Sequence, residues 1–122
     1  MKKKILVADD NPAILDALKI MLEEADADYE VETTVDGATA QNMKDHLPDL
    51  LLLDIWMSGI DGRDICKHLK SAAKTKHIPI ILVSATKDIA QIAKDSGADD
   101  CISKPFQMEH LLAIVAKYVN KH

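Results

Sequence analysis

Four leucines, Leu50 to Leu53, run without a break into Asp54, and a strand with no polar residue on either side must be covered on both faces. That requirement excludes a two-layer fold with one sheet face in water. Ile5 to Ala8 and Ile80 to Val83 repeat the pattern, and stretches of helical period separate the runs. The chain therefore reads as five βα units: an α/β, doubly wound, five-stranded parallel sheet with five helices distributed over both faces.

The first strand is expected at Lys4 to Asp9. A helix follows, capped by Asn11 with Pro12 at its first position and an apolar stripe of Leu15, Leu18, Met21, Leu22 and Ala25. Tyr29 to Thr34 alternates as a half-exposed edge strand should, and a weaker helix carrying Ala40, Met43 and Leu47 is expected to run up to Pro48. The third strand is Asp49 to Asp54, followed by a turn over Ser58 to Gly62 and a helix with Ile65, Cys66, Leu69 and Ala72 inward. Pro79 to Ser84 makes the fourth strand, Lys87 to Ser96 a helix stopped by Gly97, and Asp99 to Ser103 the fifth strand. Met108, Leu111, Leu112, Val115 and Val119 give the last helix a core-facing stripe.

Four of the five strands, the first, third, fourth and fifth, stop at a polar residue of a particular kind: Asp9 and Asp10, Asp54, Ser84, and Lys104. In an open parallel sheet the functional crevice lies at the carboxyl ends of the strands. A helix cap or a strand terminus accounts for one acid at a time, not for three that converge. Carboxylates some 5 Å apart repel by roughly 3 kcal/mol per pair at an effective dielectric near 20, so the group asks for a cation. Mg²⁺, held by one or two carboxylates with phosphate oxygens and water completing its shell, suits a shallow acidic edge. Lys104 supplies a point charge and Ser84 a hydroxyl for phosphoryl oxygens, and Asp54, alone on the central strand, is the best-placed nucleophile.

Composition narrows the function. At 122 residues the chain is one domain, residues 1–122, and with 48% hydrophobic and 29% charged residues it should fold throughout. A formal charge of −5 with a single arginine argues against a nucleic-acid surface. No run is long enough to span a membrane and no signal-peptide core follows Met1, so a cytoplasmic location is expected. Cys66 and Cys101 form no metal or redox motif, and His46, His68, His77, His110 and His122 lack ligand spacing.

The segments Lys4–Asp10, Pro48–Asp54, Ser58–Gly62, Ile80–Ala85 and Gly97–Phe106, in this order, resemble the receiver domain of two-component response regulators over essentially the whole chain. The resemblance implies a CheY-like fold with strand order 2-1-3-4-5. It implies a phosphorelay protein in which Asp54 takes a phosphoryl group from a histidine kinase or histidine phosphotransfer protein. Asp9, Asp10, Asp54 and the backbone carbonyl of Trp56 would hold Mg²⁺. Ser84 would turn to the phosphoryl group, Lys104 would contact it, and the Lys104–Pro105 bond would be cis. Its only catalysis would be its own phosphorylation and dephosphorylation. The output would be a changed contact with a downstream protein target, or a homodimer through the fourth helix, fifth strand and fifth helix, with neither nucleic acid nor membrane bound directly.

Three positions depart from the family pattern. Three residues before Lys104, where the family usually carries Tyr or Phe, stands Cys101, so the aromatic half of the usual switch is absent. Ser58 replaces a common Pro, which leaves the loop after Asp54 less stiff. Trp56 puts bulk beside the phosphorylation site, where it either limits attack by water or serves only as a hydrophobic lid.

Rival readings fit less well. A flavodoxin-like carrier needs a phosphate cradle where this chain has Asp9-Asp10-Asn11, and a haloacid-dehalogenase-type phosphatase has its paired acids separated by one intervening residue at the end of the first strand, whereas Asp9 and Asp10 are adjacent and Asp54 lies on the third. A pseudo-receiver acting only by protein contact is the remaining alternative, although all five chemical positions are filled. The start at Met1 and the finished last helix favour a stand-alone regulator or phosphorelay shuttle over a receiver cut from a larger protein.

Overall fold

Alternation along the strands divides the core into two layers. A computed structural model of the chain, describing residues 2–57 and 59–120, places β1 (Lys3–Ala8), β2 (Tyr29–Thr34), β3 (Leu50–Asp54), β6 (Ile80–Ser84) and β7 (Asp100–Ser103) in one parallel sheet. Its order is β2-β1-β3-β6-β7. This is the expected 2-1-3-4-5 arrangement, with a small antiparallel hairpin of β4 (Trp56–Met57) and β5 (Ile60–Asp61) inserted after the third strand. Ile5, Val7, Leu50, Leu52, Ile81, Val83 and Ile102 face α1 (Pro12–Ala25) and α5 (Met108–Val119). Leu6, Leu51, Leu53, Ile80 and Leu82 face α2 (Gly37–Gln41), α3 (Gly62–Ser71) and α4 (Ile89–Ser96). All four leucines of β3 are buried, each contributing about 1.5–3 kcal/mol relative to exposure.

The helix starts follow from local chemistry. The Asn11 side chain accepts the N–H of Ala13 at 3.0 Å to cap α1, and Asp36 and Asp61 do the same for α2 and α3. Gly97 ends α4 at φ +83°, a left-handed position that glycine tolerates best.

Several expectations need correction. The second helix ends at Gln41, well short of Pro48: Asn42 leaves helical geometry at ψ 14° and His46 takes φ +53°, while Met43 and Leu47 reach the core from irregular chain. The opposing strand matches this short cover. Tyr29 and Val31 are buried on the α1 side, whereas Glu30 and Glu32 point to the side where α2 stops. There they line an open groove of about 740 Å³ with Lys4, Leu6, Met43 and Pro48. Met21 and Ala25 are exposed, so the buried stripe of α1 is Leu15, Leu18 and Leu22. Ala72 caps α3 from outside it, and α4 starts at Ile89, two residues later than expected. Of the expected turn, Gly59 lies in the hairpin bend, Ile60–Asp61 form β5 and Gly62 begins α3, while the expectation about Ser58 lies outside the described residues.

Gly62 is the tightest backbone approach. Its N–H donates to the Ile55 carbonyl at 2.7 Å, and an added Cβ would strike the Asp54 carbonyl oxygen and lie 2.8 Å from the Ile55 Cα. Gly62→Ala is therefore expected to lower the urea-unfolding free energy by about 2 kcal/mol or more. Gly59→Ala, at φ +78° with open space around it, should cost about 1 kcal/mol.

Candidate functional site

Strand register assembles the carboxyl edge. β1 and β3 pair with Ala8 opposite Leu53, so one more step sets Asp9 opposite Asp54. Asp9 continues the row Ile5-Val7, Asp54 the row Leu50-Leu52, and Lys104 the row that begins at Ile102, all on the α1/α5 side of the sheet. The Lys104 N–H donates to the Ser84 carbonyl at 2.9 Å, which fixes the lysine to the end of β6, and the Lys104–Pro105 bond is cis.

The result is a compact charged group. Carboxylate oxygens of Asp9, Asp10 and Asp54 lie within 4.8 Å of one another, with Asp9 only 4% and Asp54 7% exposed and Asp10 open to solvent. Lys104 Nζ donates to Asp9 Oδ2 at 3.1 Å and stands 3.8 Å from Asp54 Oδ2. The Asn11 N–H donates to Asp9 Oδ1 at 2.9 Å, so Asp9 orients the loop while Asn11 itself caps α1. Burial pushes the Asp54 carboxyl above the usual carboxylate range. Lys104 offsets part of that rise, Asp9 and Asp10 add to it, and the backbone N–H of Trp56 favours the ionised form.

The acids at the opposite edge behave differently. Asp49 Oδ2 accepts the Lys4 N–H at 2.8 Å, and Asp99 Oδ2 accepts the Ile80 N–H at 2.8 Å and Lys70 Nζ at 2.7 Å. These carboxylates close strand starts. At the carboxyl edge one lysine serves two acids and a third faces water, an arrangement that suits a hard divalent cation and an incoming anionic group.

Ser84 and Trp56 lie beside this group in another way. Ser84, 1% exposed, continues the row Ile80-Leu82 toward the α3/α4 layer, and its Oγ is 2.9 Å from Thr86 Oγ1. Trp56, 56% exposed on the hairpin, donates its indole N–H to Thr86 Oγ1 at 3.2 Å, and the Arg63 guanidinium sits 5.3 Å from its ring centroid. Thr86 escaped the sequence reading, although a hydroxyl two residues beyond Ser84 was the signal available. The thiols are poor nucleophiles at neutral pH: burial pushes Cys66 up to about 11 and raises Cys101.

The chain is similar to known proteins over nearly its whole length. The family model described as response regulator receiver domain matches residues 5–116. The chain is 40% identical over 115 residues to the DNA-binding dual master transcriptional regulator RpaA of Synechocystis sp., covering 92% of this chain and 47% of that protein. It spans about half the length, or less, of the curated relatives it matches. Among solved structures, the signal receiver domain of a signal transduction histidine kinase from Syntrophus aciditrophicus superposes with TM-score 0.86 at 30% identity, over 96% of this chain and 89% of that one. The BeF₃-activated DrrB receiver domain gives TM-score 0.84 at 28% identity, over 99% and 100%.

A raised pKa means that folding favours the protonated Asp54. Its contribution is most favourable below the unfolded-state value and is lost as pH rises through the folded-state value. Asp54→Asn is therefore expected to raise the Tm of the metal-free protein by a few degrees at pH 7 in EDTA, with the gain shrinking toward pH 4.

Proposed function

The chain belongs to the response regulator receiver domain family, whose members are phosphorylation-based signalling modules, and we propose that its Asp54 is the phosphoryl acceptor. The donor is a phosphohistidine on a histidine kinase or a histidine phosphotransfer protein. An Asp54 carboxylate oxygen attacks phosphorus, the phosphorus–nitrogen bond breaks, and its electron pair leaves with the imidazole, which takes up a proton. The observation that carries this reading is the gathering of Asp9, Asp10 and Asp54 within 4.8 Å around one lysine.

The donor set fits Mg²⁺: hard oxygens, one exposed acid at the mouth, and no nitrogen or sulfur ligand in the cluster. Asp9, Asp10, Asp54 and the backbone carbonyl of Trp56 would hold the ion. When bound it supplies charge neutralisation for the acids and a template for phosphoryl oxygens. Lys104, already 3.8 Å from Asp54, needs only a small swing to pair with a phosphoryl oxygen on that residue. Ser84 donates its hydroxyl to a second oxygen after turning from its present place. The added charge draws Ser84 and Lys104 inward and biases the neighbouring loop and the α4/β7/α5 surface, a shift of population between two states. With Cys101 half-buried on β7, no aromatic ring accompanies that shift. The readout is a changed contact with a downstream protein or a second copy.

Asp54→Asn is expected to abolish acid-labile, hydroxylamine-sensitive phosphate incorporation from a small phosphodonor in the presence of Mg²⁺, and incorporation that persists would move the acceptor elsewhere. Trp56 offers an independent check. Adding Mg²⁺ should change its fluorescence in the wild type and change it much less in Asp10→Ala, and an equal response in both proteins counts against the metal assignment.

A further inference from the structure

Thr86 stands between two side chains whose rotamers it can hold. Ser84 Oγ accepts the Thr86 N–H at 3.1 Å and shares a hydrogen bond with Thr86 Oγ1 at 2.9 Å. These are its hydrogen bonds among the described residues. Indole nitrogen only donates, so Thr86 Oγ1 must accept from Trp56. That leaves the Thr86 proton for Ser84, or lets Thr86 accept from Ser84 as well. Either way the Ser84 hydroxyl is engaged on the α3/α4 side of the sheet, away from the row that carries Asp54.

Trp56 does not depend on Ser84 for its own position. Arg63 lies against its ring and is forked onto Asp61, with Nε 3.0 Å from each carboxylate oxygen and Nη2 2.6 Å from Oδ2. Asp61 in turn caps α3 through the Arg63 N–H at 2.8 Å. The hairpin and the first turn of α3 therefore aim the indole, the indole aims Thr86, and Thr86 holds Ser84.

We propose that Thr86 is a positioning residue that latches Ser84 in its unswitched orientation, with the indole N–H of Trp56 securing the latch. The proposal rests on the reading of Asp54 as phosphoryl acceptor and of Ser84 as the hydroxyl that turns to it. A phosphoryl group must then compete with Thr86 for Ser84, and the strength of the Thr86–Trp56 contact sets how much of the population switches at a given occupancy. The latch joins the loop after β3 to the loop after β6, so it couples the hairpin to Ser84 without passing through β7.

The test is a titration of the full chain with beryllofluoride, a phosphoryl mimic, in saturating Mg²⁺. Thr86→Val keeps the shape and the backbone N–H but removes the hydroxyl, and should bind the mimic about three- to tenfold more tightly. Thr86→Ser should behave as wild type. Trp56→Phe should give part of the gain and add nothing in combination with Thr86→Val, because both act on one chain of hydrogen bonds. With one tryptophan in the chain, a single indole N–H resonance reports the latch in ¹⁵N-labelled protein. It should shift as the wild type saturates, because Thr86 Oγ1 loses Ser84 while still accepting from the indole, and in Thr86→Val, which has no acceptor for the indole, it should move little on saturation. Unchanged or weaker affinity in Thr86→Val, or an indole resonance that ignores saturation, would overturn the latch while Asp54-dependent binding leaves the acceptor reading standing. If the wild type fails to bind the mimic, or Asp54→Asn binds it equally, the acceptor reading fails and the latch with it.

Discussion

The pairing register of β1 against β3 is the constraint on which the rest depends. Side chains alternate with period two, so a slip of one residue would send Asp9 to the opposite face from Asp54 and bury an acid against α3 and α4. The register is held by the apolar rows beneath it. Ile5, Val7, Leu50 and Leu52 fill one layer, Leu6, Leu51 and Leu53 the other, and neither set tolerates the alternative. The core thus forces together carboxylates that would separate if free, and Lys104 only partly relieves them. Repulsion kept in place by packing is what makes the edge receptive to cations.

The two ends of the sheet show how the same residue type serves opposite purposes. Asp49 and Asp99 spend their oxygens on backbone N–H groups and on Lys70, and their value is structural. Asp10 faces water and Asp54 shares one lysine with Asp9. What distinguishes a working carboxylate from a fastening one here is the supply of donors around it. Burial separates them less well, since Asp9 and Asp54 are the more enclosed.

Much of this is legible in the sequence. An unbroken apolar strand required two covering layers, and period two then carried Asp9, Asp54 and Lys104 to one edge. The second helix was overread because Ala40, Met43 and Leu47 keep an approximate helical spacing while Asn42, Asp45 and His46 favour turns, and backbone preference won where packing was thin. The contact of Trp56 with Thr86 spans thirty positions and exists only because a two-residue hairpin lifts the indole across the mouth of the sheet. No local pattern encodes that. Met21 and Ala25 show the limit in another form, since apolar residues at helical spacing still face water when the buried stripe is only Leu15, Leu18 and Leu22.

The groove beside β2 has a consequence for how such a domain can change over generations. Gln41 to Pro48 lies at the end of the sheet away from the acids, separated from them by the length of β3, roughly 16 Å. Met43 and Leu47 pack this stretch against the core, Pro48 is buried at its end and the Lys4 ammonium holds its His46 carbonyl at 2.6 Å, while Glu30 and Glu32 stay exposed on the strand it leaves bare. Residues can be gained or lost there with little effect on the spacing of Asp9, Asp10 and Asp54. Length variation, grafted recognition segments and inserted reporters can therefore collect at this corner of the molecule, while the chemistry at the far edge stays as it is.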